Sequence, residues 1–502
     1  MIHLTPEILK GFSNNLLLKR VLWGFIFVGI SAAFLQAGLN RSLWLDEGKL
    51  ATNIITRDFL GLLEPLDSNQ VAPIGFLLLQ KLLTNLFGNK DFVLRFLPFL
   101  AFLLTLLYAF KSSRLLFKSV TVSLLATAIL SLNYKLLYYS WEVKQYSLDV
   151  FICVLLLYYS LSILNTSTTK KLIVYTIMGV LSIWLSNISV IVLSAFGGYV
   201  IYFLAVRKNN FKVLLVGVFW VVSFFPYYFL FIKGHPINKE PTMLNFWEYG
   251  FLPLDPFSLE FYSYFAHIAK DICYFIMEGY VFMMIPAIFI CIALVKCIRT
   301  RFYPLLYILI VPALIHLILS GLHLYPMRDR LILYLLPLFV FSMSYGMLIT
   351  TRYLFKKYTL NPVIIIVLVM GMIFFSFFKK YPFHVEEVRD SIEYIAKEIQ
   401  PSETLYVYGS AIDVFNFYSY QNPAFENKNI VRGTYYKATP YKYIPEIESI
   451  KGTIWILFAH SFSEDKSFDE KDYILEKLTA RGHTIIFEKK YDGSEAVKVQ
   501  LN

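Results

Sequence analysis

A chain of 502 residues that is 57% hydrophobic and only 16% charged is not an ordinary soluble protein, which carries about a quarter charged residues. The formal net charge of +11 falls in short stretches between apolar runs, so it reports membrane topology rather than nucleic-acid binding. Four scattered cysteines (Cys153, Cys273, Cys291 and Cys297) form no CxxC pair or metal spacing, which argues against a disulfide framework or a cysteine metal site.

A membrane-spanning helix needs about 20 mostly apolar residues. Runs that qualify are Val21–Leu39, Phe92–Phe110, Ser119–Tyr138, Tyr146–Leu164, Leu172–Asn187, Ile188–Val206, Val213–Ile232, Tyr280–Cys297, Phe302–Ser320, Leu331–Ile349 and Pro362–Phe378. The spacing therefore predicts a polytopic α-helical membrane protein with about 11 transmembrane helices. The first run, flanked by Lys19 and Arg20, is longer than a typical signal-peptide core and reads as a retained signal-anchor. Alternate loops are short, basic and free of acids: Lys111 to Lys118, Lys170–Lys171, Arg207 to Lys212, Lys296 to Arg301, and Arg352 to Lys357. The positive-inside rule then places the amino terminus in the cytoplasm of a cell with this protein in its plasma membrane.

The segments on the other side carry nearly all the acids. The first, 40–91, holds two apolar stretches too short to span, Gly48–Leu60 and Pro73–Phe87, which read as interfacial helices. Residues 1–380 thus form a membrane module. Residues 381–502 change composition: Val385–Ile399 and Phe468–Arg481 have helical spacing, and Thr404–Tyr408, Thr453–Ala459 and Thr484–Phe487 read as strands. Alternating helices and strands predict a small extracytoplasmic α/β domain, with no G-x-G-x-x-G or P-loop for a nucleotide.

Polar residues at helix ends on that outer side mark where chemistry could sit. Asp46 and Glu47 follow the first span, beside Trp44. Glu142, Lys144, Gln145, Tyr146 and Asp149 open the fourth; in one helix, Glu142, Gln145, Tyr146 and Asp149 would share a face. Arg328 and Arg330 open the tenth. An acid inside a span is costly unless it meets water, a cation or substrate. Arginine offers a planar fork that matches phosphate oxygens. Carboxylates with arginines suggest group transfer: an acid takes a hydroxyl proton and the arginines stabilise a departing phosphate. Outside the cytoplasm that phosphate would belong to a lipid. Arg95 and Lys81 are further candidate phosphate ligands, and Trp44 and Tyr146 candidate walls of a substrate pocket. All these groups are expected to meet in one wet crevice at the outer face.

The order of four elements is similar to that of a known family. They are Leu43-Trp-Leu-Asp-Glu-Gly48; Ala72-Pro-Ile-Gly-Phe-Leu-Leu-Leu-Gln80; Phe87-Gly88; and Leu94-Arg95-Phe-Leu-Pro98, followed by Glu142-x-Lys144-x-Tyr146-x-x-Asp149. Strongest over residues 20–165, they resemble the GT-C glycosyltransferases, specifically the family 39-like group of protein O-mannosyltransferases and lipid A aminoarabinose transferases. The resemblance implies a sugar donor on a polyprenyl phosphate, inversion at the anomeric carbon, Asp46 as catalytic base, and Glu142 or Asp149 as a second acid. It implies that Glu47 helps bind the acceptor or a divalent metal, the latter with Asp46. Relatives often carry His at the position of Gln80 and Arg at that of Lys144. The acceptor, whether lipid, glycan or protein, is left open. A transporter or flippase of lipid-linked sugars fits the spans less well, because they do not divide into matching halves. A ligase or polymerase of lipid-linked glycans is a third reading.

Overall fold

The computed structural model describes residues 15–279, 282–358, 361–383, 385–420, 422–437, 439–462 and 467–502. Tyr280 and Val281, the first two residues of one predicted span, lie outside them. The chain forms two compact units. One comprises Met1–Gly38, Ala72–Leu77 and Arg95–Pro382; the other comprises Leu39–Val71, Leu78–Leu94 and Phe383–Asn502.

The first unit is helical. Among the described residues each of the eleven predicted runs contains helix, but the lengths differ. Among the described residues seven helices are long and apolar enough to cross a membrane, up to eight if one bent pair counts as a single span. The chain is thus a multi-pass membrane protein. The runs that fall short, Thr169–Leu185, Met284–Thr300 and Pro362–Phe378, have 17 residues each, about 25 Å at the helical rise. The helices at the chain start are α1 (Leu16–Leu39), α2 (Leu45–Thr56), α3 (Ile74–Phe87), α4 (Asp91–Phe117), α5 (Val120–Ser131), α6 (Tyr134–Ser140) and α7 (Tyr146–Asn165).

Small residues let these helices approach. A Cβ on Gly346, within the buried span Asp329–Tyr358, would overlap the Phe289 carbonyl of Met284–Thr300, and one on Gly29 of α1 would overlap the Ser131 carbonyl of α5. In an apolar solvent, close backbone packing of this kind replaces the hydrophobic drive as the source of association.

The predicted span Ser119–Tyr138 is not one rod. It breaks between α5 and α6 with a bend of 61°. Asn133 is the cause: its Oδ1 accepts from Leu136 N at 2.9 Å, capping α6, while its Nδ2 donates to Phe275 O at 2.6 Å. A side chain that caps a helix favours starting a new one over continuing the old.

The second unit holds a five-stranded sheet of order β2-β1-β3-β5-β4, where β1 is Thr404–Val407, β2 Asn429–Arg432, β3 Gly452–Ala459, β4 Thr484–Tyr491 and β5 Ser494–Leu501. β1 runs parallel to β2 and β3, with helical crossovers Ile412–Ser419 and Tyr443–Glu448; β5 is antiparallel to β3 and β4. The predicted α/β character holds, and two strands, β2 and β5, escaped the sequence reading. β5 carries alternating apolar residues and follows Asp492-Gly493, a strong hairpin signal, with Gly493 at φ 68°. Val388, Ile392 and Ile395 repeat every three or four residues along Val388–Glu398 and are buried in the core of this unit.

Candidate active site

The predicted site residues fall into both units. In the sheet-bearing unit, the loop before α2 is fastened to residues more than three hundred positions away. Ser42 Oγ donates to Glu386 O at 2.7 Å and accepts from Val388 N, while its amide donates to Glu387 Oε2. Leu43 N donates to Tyr418 Oη at 2.7 Å, and that hydroxyl donates to Asp91 at 2.9 Å. Arg389 joins Asp91 at 2.7 Å and Asn40 O at 2.9 Å. Bonds that fix the approach to a helix from several sides hold its first turn in place.

Asp46 and Glu47 occupy that first turn, where the helix dipole favours negative charge. Their surroundings differ. Glu47 is fully buried and ion-paired to buried Arg41 at 2.9 Å. Asp46 is half-buried. Gly48, the last residue of the D-E-G motif, is a packing residue: a Cβ there would fall 2.5 Å from Val414 Cγ2 on helix Ile412–Ser419. Thr52 reinforces that contact by donating to Asp413 O at 2.7 Å.

Lys81 lies elsewhere in this unit. Its Nζ donates to Ile55 O at 3.1 Å, at the carboxyl end of α2. Helical rise puts Asp46 and Ile55 about 13 Å apart. Burial lowers the Lys81 amine below the usual lysine value, with Asp58 pulling the other way. A polar cavity of about 330 Å³ opens here, with Thr84, Asn85 and Tyr420 among its walls. Gln80 is fully buried and donates to Leu94 O at 2.6 Å.

In the membrane unit, Glu142, Lys144 and Gln145 do not share a helix with Asp149. Residues 141–145 form a turn and α7 begins at Tyr146, which corrects the single polar stripe expected from spacing. The turn follows from the cap at Asn133, which makes α6 end at Ser140. Asp149 is buried and accepts from Ser186 Oγ at 2.5 Å. Glu142 is buried, and both it and half-buried Arg330 lie within electrostatic reach of Tyr139. Arg95 is fully buried, with its guanidinium 6.0 Å from the Trp141 ring.

A cavity of about 260 Å³ gathers several of these groups. Arg330, Lys135, Tyr139, Trp247, Tyr249 and Asp329 line it, with Phe246 and Phe275. The Arg330 guanidinium stands 5.5 Å from the Tyr146 ring and 5.7 Å from that of Trp247. Tyr249 Oη donates to Asp329 at 2.6 Å. Two cations among aromatic walls suit an anionic group attached to a ring or chain. Arg328 faces differently: it pairs with Asp271 at 3.2 Å and stacks 5.1 Å from Tyr249. Of the lining, only Arg330 was singled out from sequence. Lys135 was legible as a lysine inside an apolar run, the kind of residue that membrane burial usually reserves for function.

Among the described residues, no three His, Cys, Asp or Glu side chains cluster closely enough to hold a metal. Glu47 is committed to Arg41, and His316, fully buried, bonds Tyr334 Oη and Pro326 O at 3.1 Å each. The donor set near Asp46 and Glu47 does not fit a divalent ion.

Residues 71–229 match the family described as dolichyl-phosphate-mannose-protein mannosyltransferase. Among curated proteins none matches the chain by sequence. In fold it is similar to ArnT from Cupriavidus metallidurans in the apo state, with a TM-score of 0.55 at 12% identity, covering 95% of this chain and 97% of that one. The same ArnT bound to undecaprenyl phosphate gives 0.54, with the same identity and coverage. The archaeal oligosaccharyltransferase AglB from Archaeoglobus fulgidus, in complex with an inhibitory peptide and a dolichol-phosphate, gives 0.50 at 12% identity, covering 87% of this chain and 69% of that one. Helical membrane unit, carboxy-terminal sheet and family match together bear out the resemblance read from the motifs: residues 71–229 match a family of the GT-C group, and the fold is similar to that of ArnT.

Proposed function

We propose that the chain is an inverting glycosyltransferase that moves a sugar from a polyprenyl-phosphate donor to a hydroxyl on the extracytoplasmic side of the plasma membrane. The observation that carries this reading is the cavity of Arg330 and Lys135 walled by Tyr139, Trp247 and Tyr249 in the membrane unit, a setting suited to a sugar phosphate. The acceptor hydroxyl attacks the anomeric carbon and the bond from that carbon to the phosphate oxygen breaks. Asp46 takes the hydroxyl proton. The phosphate leaves on its lipid, its charge held by Arg330 and Lys135, with Arg328, Lys144 and Arg95 adding to the positive field. Glu142, within electrostatic reach of Tyr139, orients that wall of the cavity. The acid-free basic loops support a cytoplasmic amino terminus and an extracytoplasmic carboxy-terminal domain.

The experiment is sugar transfer from a radiolabelled polyprenyl-phosphate donor in membranes carrying wild-type chain or D46N. Loss of transfer with intact folding is expected. Full activity in D46N removes Asp46 from the role of base. Donor carried across the bilayer with no sugar released would favour a flippase, and consumption of a diphosphate-linked oligosaccharide in its place would favour a glycan ligase.

A further inference from the structure

The mechanism above leaves one constellation of the sheet-bearing unit unused. His460 directly follows the carboxyl end of β3 and adopts φ 54°, a left-handed conformation unusual for a non-glycine residue. Its Nδ1 lies 2.6 Å from Glu386 Oε1. A carboxylate at Nδ1 accepts the hydrogen bond of an Nδ1–H, and in that tautomer Nε2 is an acceptor. Glu386 is itself 94% buried by its 6% exposure, and its other oxygen, Oε2, has no hydrogen-bond partner. The hairpin turn holds it there. A Cβ on Gly493 would fall 2.6 Å from Glu386 Cγ, and Glu387 N donates to Asp492 O at 2.6 Å. The imidazole stays 36% exposed. Its ring centroid is 6.4 Å from that of Trp44, with the planes inclined at 47°. Trp44 is the residue before α2, two positions ahead of Asp46.

Strained backbone, a buried carboxylate and a half-exposed imidazole beside an indole are a costly combination to maintain for packing alone. We infer that Trp44 and His460 form a binding subsite for a neutral polyhydroxylated ring, a saccharide unit of the acceptor, and that Glu386 is the positioning residue that sets the imidazole. The indole supplies an apolar face for ring C–H groups and Nε2 accepts from a ring hydroxyl. The charge of the pair selects the ligand class. The Glu386 carboxylate next to the imidazole disfavours a phosphate or carboxylate, and nearby Lys437 spends its amine on the carbonyls of His460 and Phe462 at 2.7 and 2.8 Å. This assignment rests on the transferase reading for the word acceptor, not for the existence of the subsite.

The test uses the full-length chain in lipid nanodiscs titrated with methyl α-mannopyranoside and methyl β-glucopyranoside, read by saturation-transfer NMR. Saturable binding of at least one glycoside is expected, weakened tenfold or more in H460A and in W44A, and weakened in E386Q, where Nδ1 loses its ionised partner. Thermal unfolding of each variant checks that the sheet-bearing unit is intact, and H460Q, which keeps an acceptor atom, is expected to recover part of the affinity. Absence of binding to the wild-type chain, or equal binding by H460A and W44A, overturns the subsite. Donor turnover separates the two proposals. A chain that binds the glycoside through His460 but never consumes polyprenyl-phosphate sugar keeps the subsite and loses the transferase reading. Donor consumption with glycoside binding indifferent to His460 does the reverse.

Discussion

The membrane unit and the sheet-bearing unit treat charge in opposite ways. In the first, cations stand among rings: Arg330 against Tyr146 and Trp247, Arg95 beside Trp141, and Arg328 against Tyr249 as well as in an ion pair with Asp271. In the second, carboxylates are tied to partners from remote sequence: Glu47 to Arg41, Asp91 to Arg389 and Tyr418, Glu386 to His460. Aromatic walls leave a guanidinium able to exchange a ring for a phosphate at modest cost, because the cation–π term is small, about 0.5–2 kcal/mol. A buried ion pair cannot be exchanged that way, since the charge left behind is uncompensated. The first arrangement suits ligand binding and the second suits holding a loop still. Asp46, half-buried in the second, is the carboxylate proposed as the base.

Substitutions can break this contrast, and the largest effect is expected at Asp46. D46N removes the proton acceptor and is expected to lower transfer by about 10²–10⁴-fold with unchanged unfolding temperature, as general-base removal does. Measured transfer from labelled donor checks it. R41A removes the buried cation paired with Glu47, and is expected to destabilise the sheet-bearing unit by about 3–5 kcal/mol. The double variant R41L/E47L recovers most of that loss, and denaturant or thermal unfolding in detergent reads both.

Arg330 tests the other side of the contrast. R330A is expected to raise the KM for donor by roughly 10–100-fold without changing stability, and R330K to rescue little, since an ammonium lacks the flat fork that stacks on Tyr146. Equal loss of fold and activity in R330A would make the cavity structural. Y418F removes the hydroxyl between Leu43 N and Asp91 and is expected to cost about 1–3 kcal/mol, the usual range for a part-buried group left unsatisfied.

The smallest effect is expected at Asp413. Burial pushes its carboxyl above the usual value, with the Ser68 hydrogen bond and Lys49 acting the other way. The folded chain therefore binds the proton more tightly than the unfolded chain. The stability this contributes is complete below the ordinary carboxylate range and is lost as pH rises through the elevated folded value. D413N should accordingly raise the unfolding temperature slightly at pH 7, with the gain closing as pH falls toward 4. A gain that persists at low pH would show that burial is not its cause.

How much of this was legible beforehand varies with how local each signal is. Apolar run length marked every helix that crosses or nearly crosses the bilayer, because a low-dielectric solvent demands unbroken internal hydrogen bonding. The α/β character of the carboxy-terminal segment followed from spacing, although β5 escaped in spite of its Asp492-Gly493 turn. Asn133, an amide inside a run of apolar residues, was visible but its bend was not, since the same side chain could have been tolerated in a straight helix. The D-E-G motif was found as a motif; that Gly48 serves contact with Val414 was not.

Sequence alone determined the membrane class, the resemblance to a family and the position of Asp46 just past the first span, because hydrophobic periods and motif order are properties of neighbours along the chain. Only the tertiary structure decided that Glu47 is spent on Arg41, that Lys135 stands with Arg330 in one cavity, and that Glu386 aims His460 at Trp44. Those pairings join residues whose separation along the chain carries no period. Burial and distance create them, and burial is the sum of contacts that no single stretch of sequence contains.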